Sequence, residues 1–138
     1  MTFALYKYIG MAGGILLSAI SGGHAGGIEE TEVSFSKDIA PVMRRKCATC
    51  HMTGTEAGGM ALHPRAAWKN IVGKPSGESR FFIVSPGEPE KSYLLMKLEG
   101  THIENGGTGA QMPFAAPPLN ARIIQTIRDW ISAGALDN

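Results

Sequence analysis

Cys47-Ala48-Thr49-Cys50-His51 contains the only two cysteines of the chain, three positions apart, with an imidazole directly after the second. Two thiols at that spacing can each bond to a vinyl group of one haem, while the histidine takes one face of its iron. The spacing also fits a two-cysteine redox pair. Such a pair does not call for the histidine, however, and no strand–helix pattern surrounds it here. Zinc is a weaker match, because a structural zinc site takes four thiolate or imidazole ligands. His24, His63 and His102 supply no second pair to complete one.

An iron held by His51 on one face needs its other face accounted for. An electron carrier fills both axial positions, whereas an enzyme or gas sensor can leave one open. Met112, followed by Pro113, is the best second ligand. Its approach, Gly106-Gly107-Thr108-Gly109-Ala110-Gln111, can bring backbone close to a flat surface because glycine carries no Cβ. A thioether also raises the haem potential relative to a second imidazole. Pro113 removes a backbone donor and restricts the residue before it, which would help to fix the loop. The other candidates are His63 or His102 in a bis-histidine site, Met60 in a second glycine-rich loop, and an open position. Met96 reads as a helix core residue.

The elements that must carry these groups read as helices joined by turn-rich connections. Ser36 can cap a helix bearing Ile39, Val42 and Met43, with Pro41 tolerated in its first turns, so the cysteine motif falls at a helix end. Thr53 to Gly59 reads as a loop. Pro64 to Val72 can be helical, with Trp68 as a core or haem-packing aromatic. Gly73 to Arg80 is a connection, and Phe81-Phe82-Ile83-Val84 is too short to separate strand from buried loop. Pro89 is placed to open a helix favoured by Glu88 and Glu90, with Leu94, Leu95 and Leu98 on one side and Gly100 as its stop. In the last helix Asn120 is the cap and Ile123, Ile124, Ile127, Trp130 and Ile131 form an apolar stripe ending at Gly134. That stripe is expected to pack on the N-terminal helix.

Residues 1–25 read as a cleaved secretory signal peptide: Lys7, an apolar run from Ile9 to Ile20, then Gly23-His24-Ala25. The alternative is an uncleaved anchor, since Tyr8 to Ile28 carries no charged side chain and approaches the ~20 residues that cross a bilayer. Its glycines and Ser18, Ser21 and His24 weaken that alternative, and cleavage would leave no membrane anchor. Residues 26–34 read as a flexible lead-in and 35–138 as one domain. A domain of that size has a modest core, so a planar cofactor at its centre would supply apolar contact that side chains cannot. Without Lys7, basic and acidic side chains are equal in number, and no basic run is long enough to suggest nucleic acid. Arg44-Arg45-Lys46 can face an acidic redox partner or a propionate, or be an ordinary solvated helix face. Lys74 and Arg80 carry the same choice, with the surface favoured.

These motifs together resemble a small monohaem cytochrome c of the class I type. The likeness is to the bacterial group with an Asp38-Ile39-Ala40-Pro41-Val42 lead-in and a Met112-Pro113 distal loop. It continues through Gly58-Gly59-Met60-Ala61-Leu62, the stretch Val84 to Leu94, and Ile127 to Ala135. The resemblance implies an all-α fold with helices wrapped around one covalently attached haem c, thioether bonds from Cys47 and Cys50, and His51 and Met112 as axial ligands. It implies a periplasmic electron carrier rather than an enzyme, with redox donor and acceptor proteins as partners, among them a membrane-bound or periplasmic oxidoreductase. The alternatives are an electron-relay subunit of a respiratory or dehydrogenase complex, or a haem enzyme such as a peroxidase using His102 as a helper. The segment from Trp68 to Phe82 is longer than in the most compact relatives, and its role is open.

Overall fold

Phe35, Ile39 and Met43 recur at four-residue intervals and all three are buried, so the first helical run turns one apolar edge inward. The computed structural model describes residues 32–138. The expected signal peptide and residues 26–31 of the lead-in lie outside them. The run starts as a wide π-helical turn, Phe35–Ile39, and continues as helix α1, Ala40–Lys46. Pro41 has no N–H to give, so the hydrogen-bond register can change there at little cost.

The cap of this run is Ser34, two residues before the expected Ser36. Ser34 Oγ accepts the Lys37 N–H at 3.3 Å, and the Ser34 N–H donates to the Asp38 carboxylate at 2.8 Å. The shift has a tertiary cause. Asn138 docks against this end, its side-chain oxygen accepting the Phe35 N–H at 2.7 Å and its carbonyl accepting from Ser34 Oγ and the Ser36 N–H. Val33, inside the stretch read as lead-in, packs against the core.

Helix α2, Ala67–Ile71, lies within the expected segment and buries Ala67 and Ile71. Helix α3 spans Tyr93–Glu99, not a run opening at Pro89. Pro89 opens only a single 3-10 turn, Pro89–Lys91. Ser92 then breaks the path: its hydroxyl accepts the buried Ser85 N–H at 2.9 Å and donates to the Glu88 carbonyl at 3.1 Å, holding the residue extended. Glu88 pairs with Lys91 and Glu90 with Arg128, so neither caps α3. Gly100 ends α3 with φ +81, a left-handed stop that a Cβ would penalise.

Helix α4, Ala121–Ser132, is capped by Asn120, whose side-chain oxygen accepts the Ile123 N–H at 2.9 Å. It buries Ile127, Trp130 and Ile131 completely or nearly so. Trp130 meets Phe35 with ring centroids 5.4 Å apart, which makes the expected contact between the two ends of the domain. Phe82 and Val84 form isolated bridges to Pro75, Ser92 and Val72, not a strand. Among the described residues the fold is an all-α bundle of four helices without a sheet. No helix among them is long and apolar enough to cross a membrane.

Candidate functional site

Cys47 is the residue at which α1 stops: its N–H still reaches the Met43 carbonyl at 2.9 Å, but its φ of −127° leaves the helix. The N–H groups of Cys50 and His51 both turn back to the Cys47 carbonyl, each at 3.1 Å. Two thiols and an imidazole therefore issue from one turn. Cys47 is half-buried and Cys50 exposed, both as free thiols. Burial pushes the Cys47 thiol up to about 11, and the negative end of α1 opposes a thiolate further. A reactive thiolate needs stabilisation, and the surroundings of Cys47 do not supply it.

His51 is half-buried, and its Nδ1 is enclosed without a hydrogen-bond partner. Its carbonyl accepts the Leu62 N–H at 2.7 Å, which fixes the backbone behind the ring. Gly58 lies alongside, with φ +84, where a Cβ would come within 3.8 Å of the imidazole. A buried polar nitrogen left without a partner costs roughly 1–3 kcal/mol, and His102 Nδ1 is enclosed in the same way.

Met112 lies on a separate loop, half-buried against the same core on which Cys47 packs. Its N–H donates to the Lys97 carbonyl at 2.9 Å, and the Met112–Pro113 peptide is cis. Met112, Pro113, Phe114 and their neighbours line a cavity of about 270 Å³. Phe114 is 71 % exposed, so this loop presents apolar surface outward. A second groove, between α1 and α4, is lined by Val42, Ile123 and Ile127 together with Arg45 and Arg122. Neither lining includes Cys47, Cys50 or His51. The donor set of one imidazole, one thioether and two thiols fits haem. Among the described residues no three His, Cys, Asp or Glu side chains gather into a metal cage.

The other candidates have different settings. His63 is exposed, its Nδ1 accepting the Arg65 N–H. Met96 is buried in α3 as a core residue, and Met60 is half-buried against the core. His102 is only 2 % exposed, with Nε2 2.9 Å from the Gly109 carbonyl. Trp68 is half-buried and donates its indole N–H to the Ala135 carbonyl at 2.7 Å. Arg44, Arg45, Lys46 and Lys74 are exposed, and Arg80, also exposed, lies over the Phe81 ring.

One group escaped the sequence reading. Lys97 sits on α3 among apolar neighbours and is buried, its ammonium donating to the Thr108 carbonyl at 2.9 Å and to Glu78 at 3.4 Å. Tyr93, one helical turn earlier, exchanges hydrogen bonds with Thr108 through its hydroxyl. The i,i+4 spacing of Tyr93 and Lys97 was the available signal, since it puts both on one face of α3. The glycine-rich approach to Met112 makes its close contacts with this face: a Cβ at Gly107 would lie 2.5 Å from the Tyr93 ring, and one at Gly109 3.2 Å from the Lys97 ammonium. Compared with known proteins, the chain matches no family model, no curated protein and no solved structure.

Proposed function

We propose that this chain is a periplasmic electron carrier with the class I cytochrome c fold. In it Cys47 and Cys50 hold one haem c through thioether bonds, and His51 and Met112 are its axial ligands. Bound there, the haem supplies a one-electron couple between ferric and ferrous iron. The observation that carries the proposal is the single turn at the end of α1, from which Cys47, Cys50 and His51 all project.

The chain's own residues orient, shield and tune. Leu62 and Gly58 hold His51 from behind and beside. The Lys97 carbonyl anchors the backbone of Met112, and a methionine ligand favours the ferrous state relative to a second imidazole. The core formed by the Phe35–Lys46 run and α4 keeps water from the motif's inner side. Phe114 and the exposed edge of the Met112 loop offer an apolar surface against which a redox donor or acceptor protein can rest.

The test is the ferric and ferrous absorption spectrum and near-infrared magnetic circular dichroism of the haem-matured protein, beside Met112→Ala. A methionine-to-iron charge-transfer signal in the parent and its loss in the variant are expected. A bis-histidine parent spectrum would overturn the Met112 assignment. A high-spin parent spectrum would move ligand binding or peroxidase chemistry ahead of electron transfer, and stable copurification with a larger oxidoreductase would favour a relay subunit.

A further inference from the structure

The loop that delivers Met112 contributes little to the core, so something else must fix its position. Between Gly100 and Met112 the buried hydrophobic side chains of the core are absent. In their place α3 grips the loop with polar groups. Thr108 is held twice, its carbonyl accepting from Lys97 Nζ at 2.9 Å and from the Tyr93 hydroxyl at 3.2 Å, while its N–H donates to that same hydroxyl. The Gln111 amide donates to the Leu98 carbonyl at 3.0 Å, and the Met112 N–H to the Lys97 carbonyl. Gly107 and Gly109 let the backbone come this close, since a Cβ at either would strike Tyr93 or crowd Lys97.

Lys97 is the centre of this grip. A buried ammonium is costly unless paired and hydrogen-bonded. Its pairing carboxylate is Glu78, brought in by the segment between α2 and α3, and the ring of Tyr93 lies 5.8 Å from the ammonium as a further stabilising face. Glu78 is itself held at less than one third exposure. The middle segment thus delivers a counter-ion to a lysine that clasps the methionine loop.

We propose that Lys97, with Glu78 as its counter-ion and Tyr93 beside it, is a positioning residue for Met112, holding the distal loop closed over the haem iron. This rests on the electron-carrier assignment above. None of the three is proposed as an iron ligand: Lys97 and Tyr93 act through Thr108, and Glu78 through Lys97.

The test uses the haem-matured full chain with the variants Lys97→Met, Glu78→Gln and Tyr93→Phe. The readout is the affinity of the ferric iron for added imidazole, which can bind only when Met112 lets go, together with hydrogen exchange at the Thr108 and Met112 amides. Lys97→Met is expected to raise imidazole affinity by about tenfold or more, the scale of losing a charge-assisted hydrogen bond. Glu78→Gln and Tyr93→Phe should follow in the same direction with smaller rises, and both amides should exchange faster. Glu99→Gln serves as the control: it breaks the separate ion pair of α3 with Arg128 of α4 and should lower thermal stability while leaving imidazole affinity unchanged. If Lys97→Met does not yield folded protein, Glu78→Gln and Tyr93→Phe carry the same test. Unchanged imidazole affinity in a parent-like methionine-ligated background would overturn the positioning role alone. A rise as large in Glu99→Gln as in the grip variants would also overturn it, as general loosening. A parent without the methionine signal would overturn the electron-carrier assignment and this proposal with it.

Discussion

The Phe35–Lys46 run with α4, and the loop from Gly100 to Pro118, carry the two sides of the candidate site, and they are built by opposite means. The first is apolar: Ile39, Trp130 and Ile131 have no exposed surface, and Phe35 packs on Trp130. It ends in the turn bearing Cys47, Cys50 and His51. The second is rich in glycine and held by directional hydrogen bonds from Tyr93, Lys97 and Gln111, while Phe114 and Ile103 face outward. Apolar burial is non-directional and summed over many atoms, so the first region should tolerate small shifts. Hydrogen bonds are few and geometric, so the second should lose its shape in steps. Under the proposed function, the covalent attachment would fall on the apolar region and the reversible ligand on the hydrogen-bonded one.

Withholding haem should separate the two regions most. If haem sits at the centre of this modest core as proposed, haem-free protein should lose much of its helical circular dichroism, the Met112 loop going before α4; a well-folded apoprotein would break the proposed role of haem in the fold. Next in size, Trp130→Ala in the apolar region should cost roughly 3–5 kcal/mol in chemical denaturation, since it empties a fully enclosed site and strands the Leu136 carbonyl that the indole N–H now serves. Gly107→Ala tests the other region: its Cβ would meet the Tyr93 ring at 2.5 Å, and overpacking of that kind costs about 1–3 kcal/mol. It should weaken the methionine charge-transfer signal more than Trp130→Ala does at matched stability. Equal loss of the signal in both would erase the distinction between the regions.

Asn120→Ala should lower stability by about 1 kcal/mol through loss of the α4 cap, leaving the haem spectrum unchanged. The smallest effect concerns the turn after His51. Glu56, bonded to its own backbone N–H, to the Thr53 hydroxyl and to the N–H groups of Thr53 and Gly54, is held down to about 2 from an ordinary 4.5. A lowered carboxyl pKa gives stability that is present above 4.5 and lost as pH falls toward 2. Glu56→Gln should therefore flatten the acid limb of the denaturation midpoint over that window, and an unchanged limb would show that the turn does not depend on this charge.

How far the chain was legible followed the range of the forces involved. The Asn120 cap, the α4 stripe, the Gly100 stop and the placement of the cysteine motif at a helix end all depend on residues within a turn or two of each other, and the structure has each where the sequence predicts it. The start of the first helix was misplaced because Ser34 and Ser36 are equally good caps locally, and only the docking of Asn138 chooses between them. The start of α3 was misplaced because Pro89 is a good first residue in isolation, while Ser85, across the turn, pins Ser92 outside the helix.

Sequence by itself determined the chemistry on offer: two thiols and an imidazole on one turn, a methionine before a proline, and the apolar faces that must be buried. Those follow from residue type and spacing, which covalent geometry and helical periodicity convert into position without help from the rest of the chain. Only the tertiary structure decided which charge meets which. Lys97 had several carboxylates within plausible reach along the chain, and its pairing with Glu78 beneath Thr108 emerged only once α3 and the middle segment were packed side by side. Long-range polar contacts are selected by burial and by the few places where a charge can be satisfied, and neither is written in local spacing.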